Sequence, residues 1–218
     1  MSRRAVIVSG GRIGAEFGLS LLEQVQPEIL IGADHGLLFL HENGIMPTHI
    51  VGDFDSISED ILDDYRTHTE IPIRQFQPVK DATDTEIALR LALELCAEEI
   101  WLLGATGSRI DHVLGNIQIL KIAHDRGACA YIVDEYNKIS LIEKEKRLKK
   151  EEAFGAYFSI FPLGGAVEHV TIEGAFYPLY DHTLCPGDSL CVSNEIVDET
   201  LKITFPDGLV IFVESRDE

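Results

Sequence analysis

Two aspartates stand two residues apart directly after an apolar run, in the segment THIVGDFDS of residues 48–56. Only Phe54 separates Asp53 from Asp55, and in extended geometry their side chains point to the same side. Carboxylates this close repel each other, and each raises the pKa of the other unless a cation lies between them. The pair is therefore either a solvated turn or part of a metal site.

Further aspartates occupy comparable positions. Asp34 follows the apolar run EILIGA, and Asp81 and Asp84 lie three apart where a helix is predicted to begin. The preference of aspartate for turns and helix caps explains any one of them. Acidic segments at successive strand ends favour a shared site instead. Because Mg²⁺ prefers one or two carboxylates together with water and substrate phosphates, the pattern indicates a magnesium site.

A glycine-rich segment, GATGSR (residues 104–109), supplies a second candidate for phosphate binding. Small residues and exposed backbone N–H groups ahead of a helix suit a phosphate group. The segment lacks the lysine of a Walker P-loop, so alone it is a weak signal. Arg109 either faces a phosphate or forms a structural ion pair with Asp111. His112 is expected to make a polar contact at the helix start rather than to act as a base.

The elements that position these residues follow from the order of apolar runs. Up to about residue 143, runs that are apolar on both faces alternate with helical patterns, which predicts a mostly parallel, Rossmann-like sheet with helices on both faces. Ligands bind beyond the carboxyl ends of the strands in such sheets, and Asp34, Asp53 and Gly104 follow such ends. The spacing of Thr83 and Glu86 predicts a capping box at a helix start.

The pattern changes after Glu143. A charged run, EKEKRLKKEE, is predicted to be a solvated hairpin or linker, and short apolar runs broken by turn residues follow it. The segment KITF-PDG-LVIFV predicts a hairpin. We therefore expect an α/β domain over residues 1–143 and an all-β sandwich or open barrel over residues 144–218.

Composition limits the partners of the chain. Of its 218 residues, 37 are acidic and 18 basic, for a formal net charge of −19. Such a field repels nucleic acid and anionic membranes, and it repels a polyphosphate unless a divalent cation bridges the two. The apolar runs are too short for a membrane span or a signal peptide. The cysteines form no CxxC pair, Cys96 and Cys129 are expected to be buried free thiols, and a cytoplasmic location is predicted.

The succession of motifs resembles the thiamine pyrophosphokinase family over nearly the whole chain. The motifs are GADHG, GDFDS, KDATDTE, GATGSRIDH and, late in the chain, SNE, and their combination is specific although no single one is. The resemblance implies an enzyme that transfers a pyrophosphoryl group from ATP to the hydroxyl of thiamine, giving thiamine diphosphate and AMP. It implies Mg²⁺ as cofactor, an α/β catalytic domain, a β-sandwich thiamine-binding domain, and a homodimer with active sites at the subunit interface.

The resemblance also assigns roles to individual residues. Asp53, Asp55 and Asp84 match the Mg²⁺ site of the family, and Asp34 matches an acidic residue near that site. Arg109 and Asp111 match the pair beside the transferred phosphates. The residues expected to contact ATP are Asp81, Thr83, Thr85, Gly104, Thr106, Gly107, Ser108 and Arg109. The residues expected in the thiamine pocket are Ser193, Asn194 and Tyr177. Tyr177 either stacks on the ligand or packs in the core, and either Asp111 or Asp34 orients or deprotonates the thiamine hydroxyl.

Two positions depart from the family pattern, and two other functions remain open. His35 stands where the family usually has the first glycine of DGG, which predicts a less permissive turn, and GAFYPL (residues 174–179) replaces a GLKYPL-like stretch. DFDS after a strand also resembles the nucleophile motif of haloacid-dehalogenase-type phosphatases, in which Asp53 would be phosphorylated. A non-catalytic module that binds a metal and a nucleotide is the remaining alternative.

Overall fold

The computed structural model describes residues 2–54, 57–76 and 81–218, and it divides into two compact units. Met1–Glu135 form the first, here called the α/β unit, and Tyr136–Glu218 form the second, the β unit. An α/β half followed by a β half was predicted, and both are present. The predicted boundary lies after residue 143, whereas strand β7 (Asn137–Ile142) lies in the β unit, where it pairs with the later strand β14.

The α/β unit alternates strands and helices. Its strands are β1 (Arg4–Val8), β2 (Ile29–Ala33), β3 (His49–Gly52), β4 (Ile73–Gln75), β5 (Glu99–Leu103) and β6 (Cys129–Val133). Its helices are α1 (Ala15–Val25), α2 (Gly36–Glu42), α3 (Glu59–His68), α4 (Asp84–Glu94) and α5 (Ile110–Asp125). All neighbouring strands pair in parallel, in the order β6-β5-β1-β2-β3-β4. The predicted mostly parallel sheet is thus confirmed.

The central strands of this sheet are buried on both faces. Val6, Ile7 and Val8 are consecutive in β1, and each is 0% exposed. Because successive side chains of a strand point to opposite faces, burial of all three requires cover on both sides. An unbroken β-branched run is the sequence signature of this arrangement.

The β unit consists of two antiparallel four-stranded sheets. Its further strands are β8 (Glu145–Lys149), β9 (Tyr157–Pro162), β10 (Val167–Glu173), β11 (Leu179–Leu184), β12 (Asn194–Glu195), β13 (Thr200–Thr204) and β14 (Val210–Ser215). Within the unit the sheets have the orders β12-β9-β14-β7 and β11-β10-β13-β8. Phe158 and Phe212 of the first sheet and Ile172 and Leu201 of the second belong to one hydrophobic core. Two sheets with a shared core form a sandwich.

The predicted hairpin of KITF and LVIFV is wrong. β13 pairs with β10 and β8, whereas β14 pairs with β7 and β9, so the turn at residues 205–209 carries the chain from one sheet to the other. Both strands turn buried side chains into the same core, Ile203 from one sheet and Phe212 from the other. The charged run before them is not only a linker, because Glu145–Lys149 forms the edge strand β8.

Two smaller findings concern cysteines and membrane spans. Cys96 and Cys129, expected to be buried, are exposed. Cys96 lies beyond the end of α4 with a left-handed backbone, and Cys129 is the first residue of β6, so neither side chain reaches the core. Among the residues that the structure describes, none of the helices is long and apolar enough to cross a bilayer.

Candidate functional site

Several of the predicted site residues lie at one edge of the parallel sheet. The backbone N–H of Ser9, just after β1, donates to Leu103 O at the end of β5 (2.8 Å), and the N–H of Asp34, just after β2, donates to Val51 O of β3 (2.8 Å). The carboxyl ends of β5, β1, β2 and β3 are therefore adjacent, which is the edge where parallel sheets bind ligands.

Two glycine-containing loops meet at this edge, between β1 and β5. The N–H of Gly11 donates to Gly104 O (2.8 Å), and a Cβ on Gly11 would lie 2.0 Å from Thr106 O. Strand order reverses here, because β1 is flanked by β2 on one side and by β5 on the other. Such a switch point is the usual ligand crevice of an open α/β sheet. The contact places the GATGSR loop in that crevice.

The turn after β2 explains the departure at His35. Asp34 takes the left-handed conformation, with φ 45°, whereas His35 has an ordinary right-handed φ of −54°. Position 35 therefore does not need glycine. Gly36 does, because a Cβ there would lie 2.0 Å from Val8 O. The turn lies beside the next strand end, since a side chain on Gly52 would come within 3.1 Å of Asp34 Cα.

An aromatic anchor holds the loop that carries Asp53. Phe54 follows Asp53, has φ 62°, and is only 7% exposed. It packs with Leu62 and Tyr65 of α3 in a small core cluster. A left-handed conformation is unfavourable for a bulky residue and persists only where packing enforces it. Asp55, the other half of the pair, lies outside the described residues.

The start of α4 reaches the same edge. Thr85 Oγ1 donates to Ser9 Oγ (3.1 Å), so this helix begins next to the end of β1. Thr83 caps the helix by accepting the Glu86 N–H (3.2 Å), as predicted, while the Glu86 carboxylate pairs with Arg90 instead of returning to Thr83. Asp84 is the first residue of the helix, where a carboxylate is favoured by the helix dipole.

The residues at this edge suit a hard divalent cation. Asp53 follows β3 and Asp84 begins α4, and both side chains carry carboxylate oxygens, the ligands that Mg²⁺ prefers. Within residues 2–54, 57–76 and 81–218, no three acidic, histidine or cysteine side chains are grouped closely enough to hold a metal by themselves. Mg²⁺ commonly takes only one or two carboxylates and completes its shell with water and phosphate oxygens.

Arg109 and Asp111 form an exposed, two-pronged ion pair at the start of α5. Arg109 Nη2 lies 2.6 Å from Asp111 Oδ2, and Nε donates to Oδ1 at 3.3 Å. Hydrogen bonding to Arg109 lowers the pKa of Asp111, and the same bond raises the pKa of Arg109. A carboxylate held in this way is a weak base. The guanidinium can exchange Asp111 for a phosphate, since it binds both through the same planar fork.

The β unit contains a small pocket. It has a volume of about 190 Å³ and is lined by Tyr177, Leu179, Leu190, Cys191, Val192 and Asn194. Burial, followed by the nearby charge of Asp188, raises the pKa of Cys191 to about 11, so the thiol is neutral at physiological pH. The pocket therefore offers an apolar wall with one exposed aromatic ring, that of Tyr177.

The predicted thiamine residues differ in how they face this pocket. Tyr177 is 61% exposed, and its ring stands edge-on to Phe176 with the centroids 4.8 Å apart. Asn194 is 3% exposed, and its amide bonds to the backbone of Tyr177. Ser193 is exposed with φ 55°, and its N–H donates to Ser159 Oγ (3.0 Å). Tyr177 and Asn194 thus line the pocket and Ser193 lies beside it in the chain.

Other predicted residues are placed less fully. Asp81 is exposed just ahead of α4, and Ser108 is exposed just ahead of α5. Asp55 has no described position. The roles that the sequence suggested for all of these residues stay predictions.

Sequence reasoning overlooked three residues of the sheet edge. Ser9 and Gly11 follow β1, and their signal was present in the SGG that ends the first apolar run. Asn116 is 7% exposed on α5, and its Nδ2 donates to Ala105 O (2.7 Å), which fixes the glycine loop. A single asparagine inside a helical pattern carries no signal of such a contact.

Comparison with known proteins covers both units. A family model described as thiamin pyrophosphokinase, catalytic domain, matches residues 22–132. A second, described as thiamin pyrophosphokinase, vitamin B1 binding domain, matches residues 145–210. A protein of Bacillus subtilis named thiamine pyrophosphokinase is 34% identical over 189 residues, which are 86% of this chain and 87% of that protein.

Solved structures agree with these matches. The crystal structure of thiamine pyrophosphokinase from Bacillus subtilis has a TM-score of 0.87 at 31% identity, covering 99% of this chain and 100% of the other. That of thiamin pyrophosphokinase from Geobacillus thermodenitrificans has a TM-score of 0.83 at 31% identity, covering 99% and 98%. The similarity extends over both units.

Proposed function

The chain belongs to the thiamin pyrophosphokinase family, and from this premise we propose that it transfers the pyrophosphoryl group of ATP to the hydroxyl of thiamine. The hydroxyl oxygen attacks the β-phosphorus of ATP and loses its proton. The bond between that phosphorus and the oxygen bridging to the α-phosphorus breaks. The products are thiamine diphosphate and AMP.

The observation that carries this proposal is the meeting of acidic loops with the glycine loops at one sheet edge. Asp34 and Asp53 follow β2 and β3, while Gly11 contacts Gly104 at the adjoining switch point. Phosphoryl-type transfer needs mainly positioning and charge neutralisation, so backbone N–H groups, a cation site and an arginine suffice. In the proposed reaction, Arg109 binds the transferred phosphates and leaves its ion pair with Asp111.

Mg²⁺ is proposed as the cofactor, held by Asp53 and Asp84 with Asp55. When bound, it neutralises phosphate charge, which lets a chain with a net charge of −19 hold a polyanion. Either Asp34 or Asp111 accepts the hydroxyl proton. Asp111 can do so only after Arg109 has left it for the phosphates, because the hydrogen bond from Arg109 lowers the pKa of Asp111.

The β unit is proposed to bind thiamine. Thiamine is cationic and aromatic, so the acidic chain attracts it and the exposed ring of Tyr177 provides a surface for stacking. The pocket, at about 190 Å³, is smaller than the roughly 300 Å³ at which ligand sites of this kind begin. We therefore propose that it forms one wall of the thiamine site, and that a second subunit of a homodimer helps to complete the site, as the family resemblance implies.

One assay separates this function from its alternatives. The protein is incubated with ATP, Mg²⁺ and thiamine, and the products are separated by chromatography. We expect AMP and thiamine diphosphate in equal amounts, and neither when thiamine is omitted or EDTA is added. A phosphatase of the haloacid-dehalogenase type would transfer a phosphoryl group to Asp53 and release it as inorganic phosphate by hydrolysis. A module that only binds would leave ATP intact, and either result would contradict the proposal.

A further inference from the structure

The side chain of Asn194 forms hydrogen bonds with the protein backbone. Its Oδ1 accepts the backbone N–H groups of Tyr177 (2.9 Å) and Glu195 (2.9 Å), and its Nδ2 donates to Tyr177 O (2.8 Å). Both acceptor positions of the oxygen and one of the two amide hydrogens are thereby used. The side chain is 3% exposed, so little of it is left to meet a ligand.

These bonds extend a short ladder between two segments of the β unit. Ala175 and Ile196 form an antiparallel bridge, and the N–H of Phe176 donates to Glu195 O (2.9 Å). The next pairing is made by the Asn194 side chain, whose amide has the same donor and acceptor as a peptide group. The Asn194 amide takes the place of a backbone partner for Tyr177, and it thereby fixes the segment that carries the exposed Tyr177 ring.

We propose that Asn194 is a positioning residue, which sets the Tyr177 wall of the pocket and acts on thiamine only through Tyr177. This inference rests on the proposed function, since it concerns how thiamine is held. It differs from the expectation that Asn194 itself contacts thiamine. The neighbouring Ser193 and Val192 are exposed, whereas Asn194 is buried.

The first test needs no substrate. Amide hydrogen exchange at Tyr177 is measured by NMR in the wild-type protein and in Asn194→Ala. The wild-type amide should be protected although the side chain is exposed, and the variant should exchange about tenfold faster or more, because it loses the acceptor. Equal exchange rates in the two proteins would overturn the inference whether or not the chain turns over thiamine.

The second test separates positioning from contact by a double-mutant cycle in steady-state kinetics. Asn194→Ala should raise the KM for thiamine about tenfold to a hundredfold, the range that a misplaced binding group costs, with the KM for ATP unchanged. Tyr177→Ala should also raise the KM for thiamine. The double variant should have nearly the same KM as Tyr177→Ala alone, because the effects of two residues that act as one unit do not add. If the two effects on KM multiply in the double variant, Asn194 contacts thiamine directly and the inference is overturned.

Asn116→Ala is the matched control. Asn116 is also buried and also holds a loop backbone, at Ala105 in the α/β unit, so its loss should raise the KM for ATP and not that for thiamine. If both variants shift both KM values alike, general destabilisation is the cause and the inference is wrong.

Asn194→Asp is the variant to use if Asn194→Ala fails to fold. It keeps the acceptor and lacks the donor, so its KM for thiamine should exceed the wild-type value. An unchanged KM would again overturn the inference. Wild-type protein that forms no AMP would contradict the proposed function alone, because the exchange test still decides the role of Asn194.

Discussion

Asp53 carries the most direct prediction at the scale of single residues. Asp53→Asn keeps the shape of the side chain but removes the charge that would hold Mg²⁺, so we expect the loss of AMP formation with an unchanged circular dichroism spectrum. Asp63→Asn is the control, because the carboxylate of Asp63 is exposed on α3 and forms a surface ion pair with Arg66. Native turnover by Asp53→Asn at saturating Mg²⁺ would remove Asp53 from the site.

Arg109 tests whether charge alone is enough. Arg109→Lys keeps the positive charge and loses the planar fork that now holds Asp111 through two nitrogens. Removing one donor aimed at developing charge typically lowers the rate by a factor of about 10²–10³, and we expect a loss of that order in kcat. Arg147→Lys is the control, because Arg147 forms an exposed ion pair with Glu145 on β8 of the β unit. An unchanged kcat would make Arg109 a structural partner of Asp111.

The sequence predicted that the acidic residues lie at the strand ends, but it did not predict the contacts that fix the surrounding loops. Asp34, Asp53 and Gly104 follow strands, and their alignment was predictable because parallel strands end at one edge. The contacts between Gly11 and Thr106 or between Asn116 and Ala105 join segments far apart in the chain, and no local pattern encodes them. The same holds for the contacts of Asn194 with Tyr177.

At the scale of elements, Phe54 links the acidic loop to α3. Phe54→Ala removes a buried ring from the cluster with Leu62 and Tyr65, and such changes typically cost about 3–5 kcal/mol of unfolding free energy. We expect that loss in urea denaturation, together with weaker Mg²⁺-dependent turnover at temperatures where the variant is folded. Tyr180→Ala, at a ring that is 71% exposed, should change stability by no more than about 0.5 kcal/mol. Equal stabilities for both variants would contradict the anchoring role.

A second element-scale prediction concerns the paired strands β10 and β11. His169 and Asp181 are both left-handed, at φ 58° and 52°, and their side chains bond where the register of the strands shifts. Asp181, and more weakly Glu168, raises the pKa of His169 above 6.5. The stabilisation is therefore complete below 6.5 and is lost as the pH rises through the folded-state pKa. We expect the stability difference between wild type and His169→Gln, measured by denaturation, to shrink towards pH 8. A difference that does not change with pH, or the same pH dependence in Asp181→Asn, would contradict the assignment.

Elements were predicted better than their pairing. The helix predicted behind the GATGSR segment is observed as α5, Ile110–Asp125, and its helical pattern ends ahead of Gly127. The pairing across the turn at residues 205–209 was predicted wrongly, because a tight turn between two amphipathic strands fits both a hairpin and a connection between two sheets. Only the shared core of both sheets, which includes Ile203 and Phe212, distinguishes the two.

At the scale of the whole molecule, the proposed homodimer predicts complementation. Asp53→Asn and Asn194→Ala chains are mixed by partial unfolding and refolding and assayed at a thiamine concentration where each alone is nearly silent. If an active site takes Asp53 from one subunit and Asn194 from the other, a mixed dimer regains one intact site and activity returns. Mixed dimers confirmed by native mass spectrometry without recovered activity would place both residues of a site in one chain.

The place of β14 in its sheet has a consequence for biosynthesis. β14 is the last strand of the β unit to be made, yet it pairs with both β7 and β9 and contributes the buried Phe212. The nascent β unit therefore exposes the unpaired backbone edges of two strands and part of its hydrophobic core until residues near 215 have left the ribosome. In the α/β unit the corresponding late partner is β5, which pairs with β1 and is complete at Leu103. At a synthesis rate of about 5–20 residues per second, the β unit stays incomplete for several seconds. During this time its exposed apolar surface is prone to aggregation, and we expect chaperones to bind it.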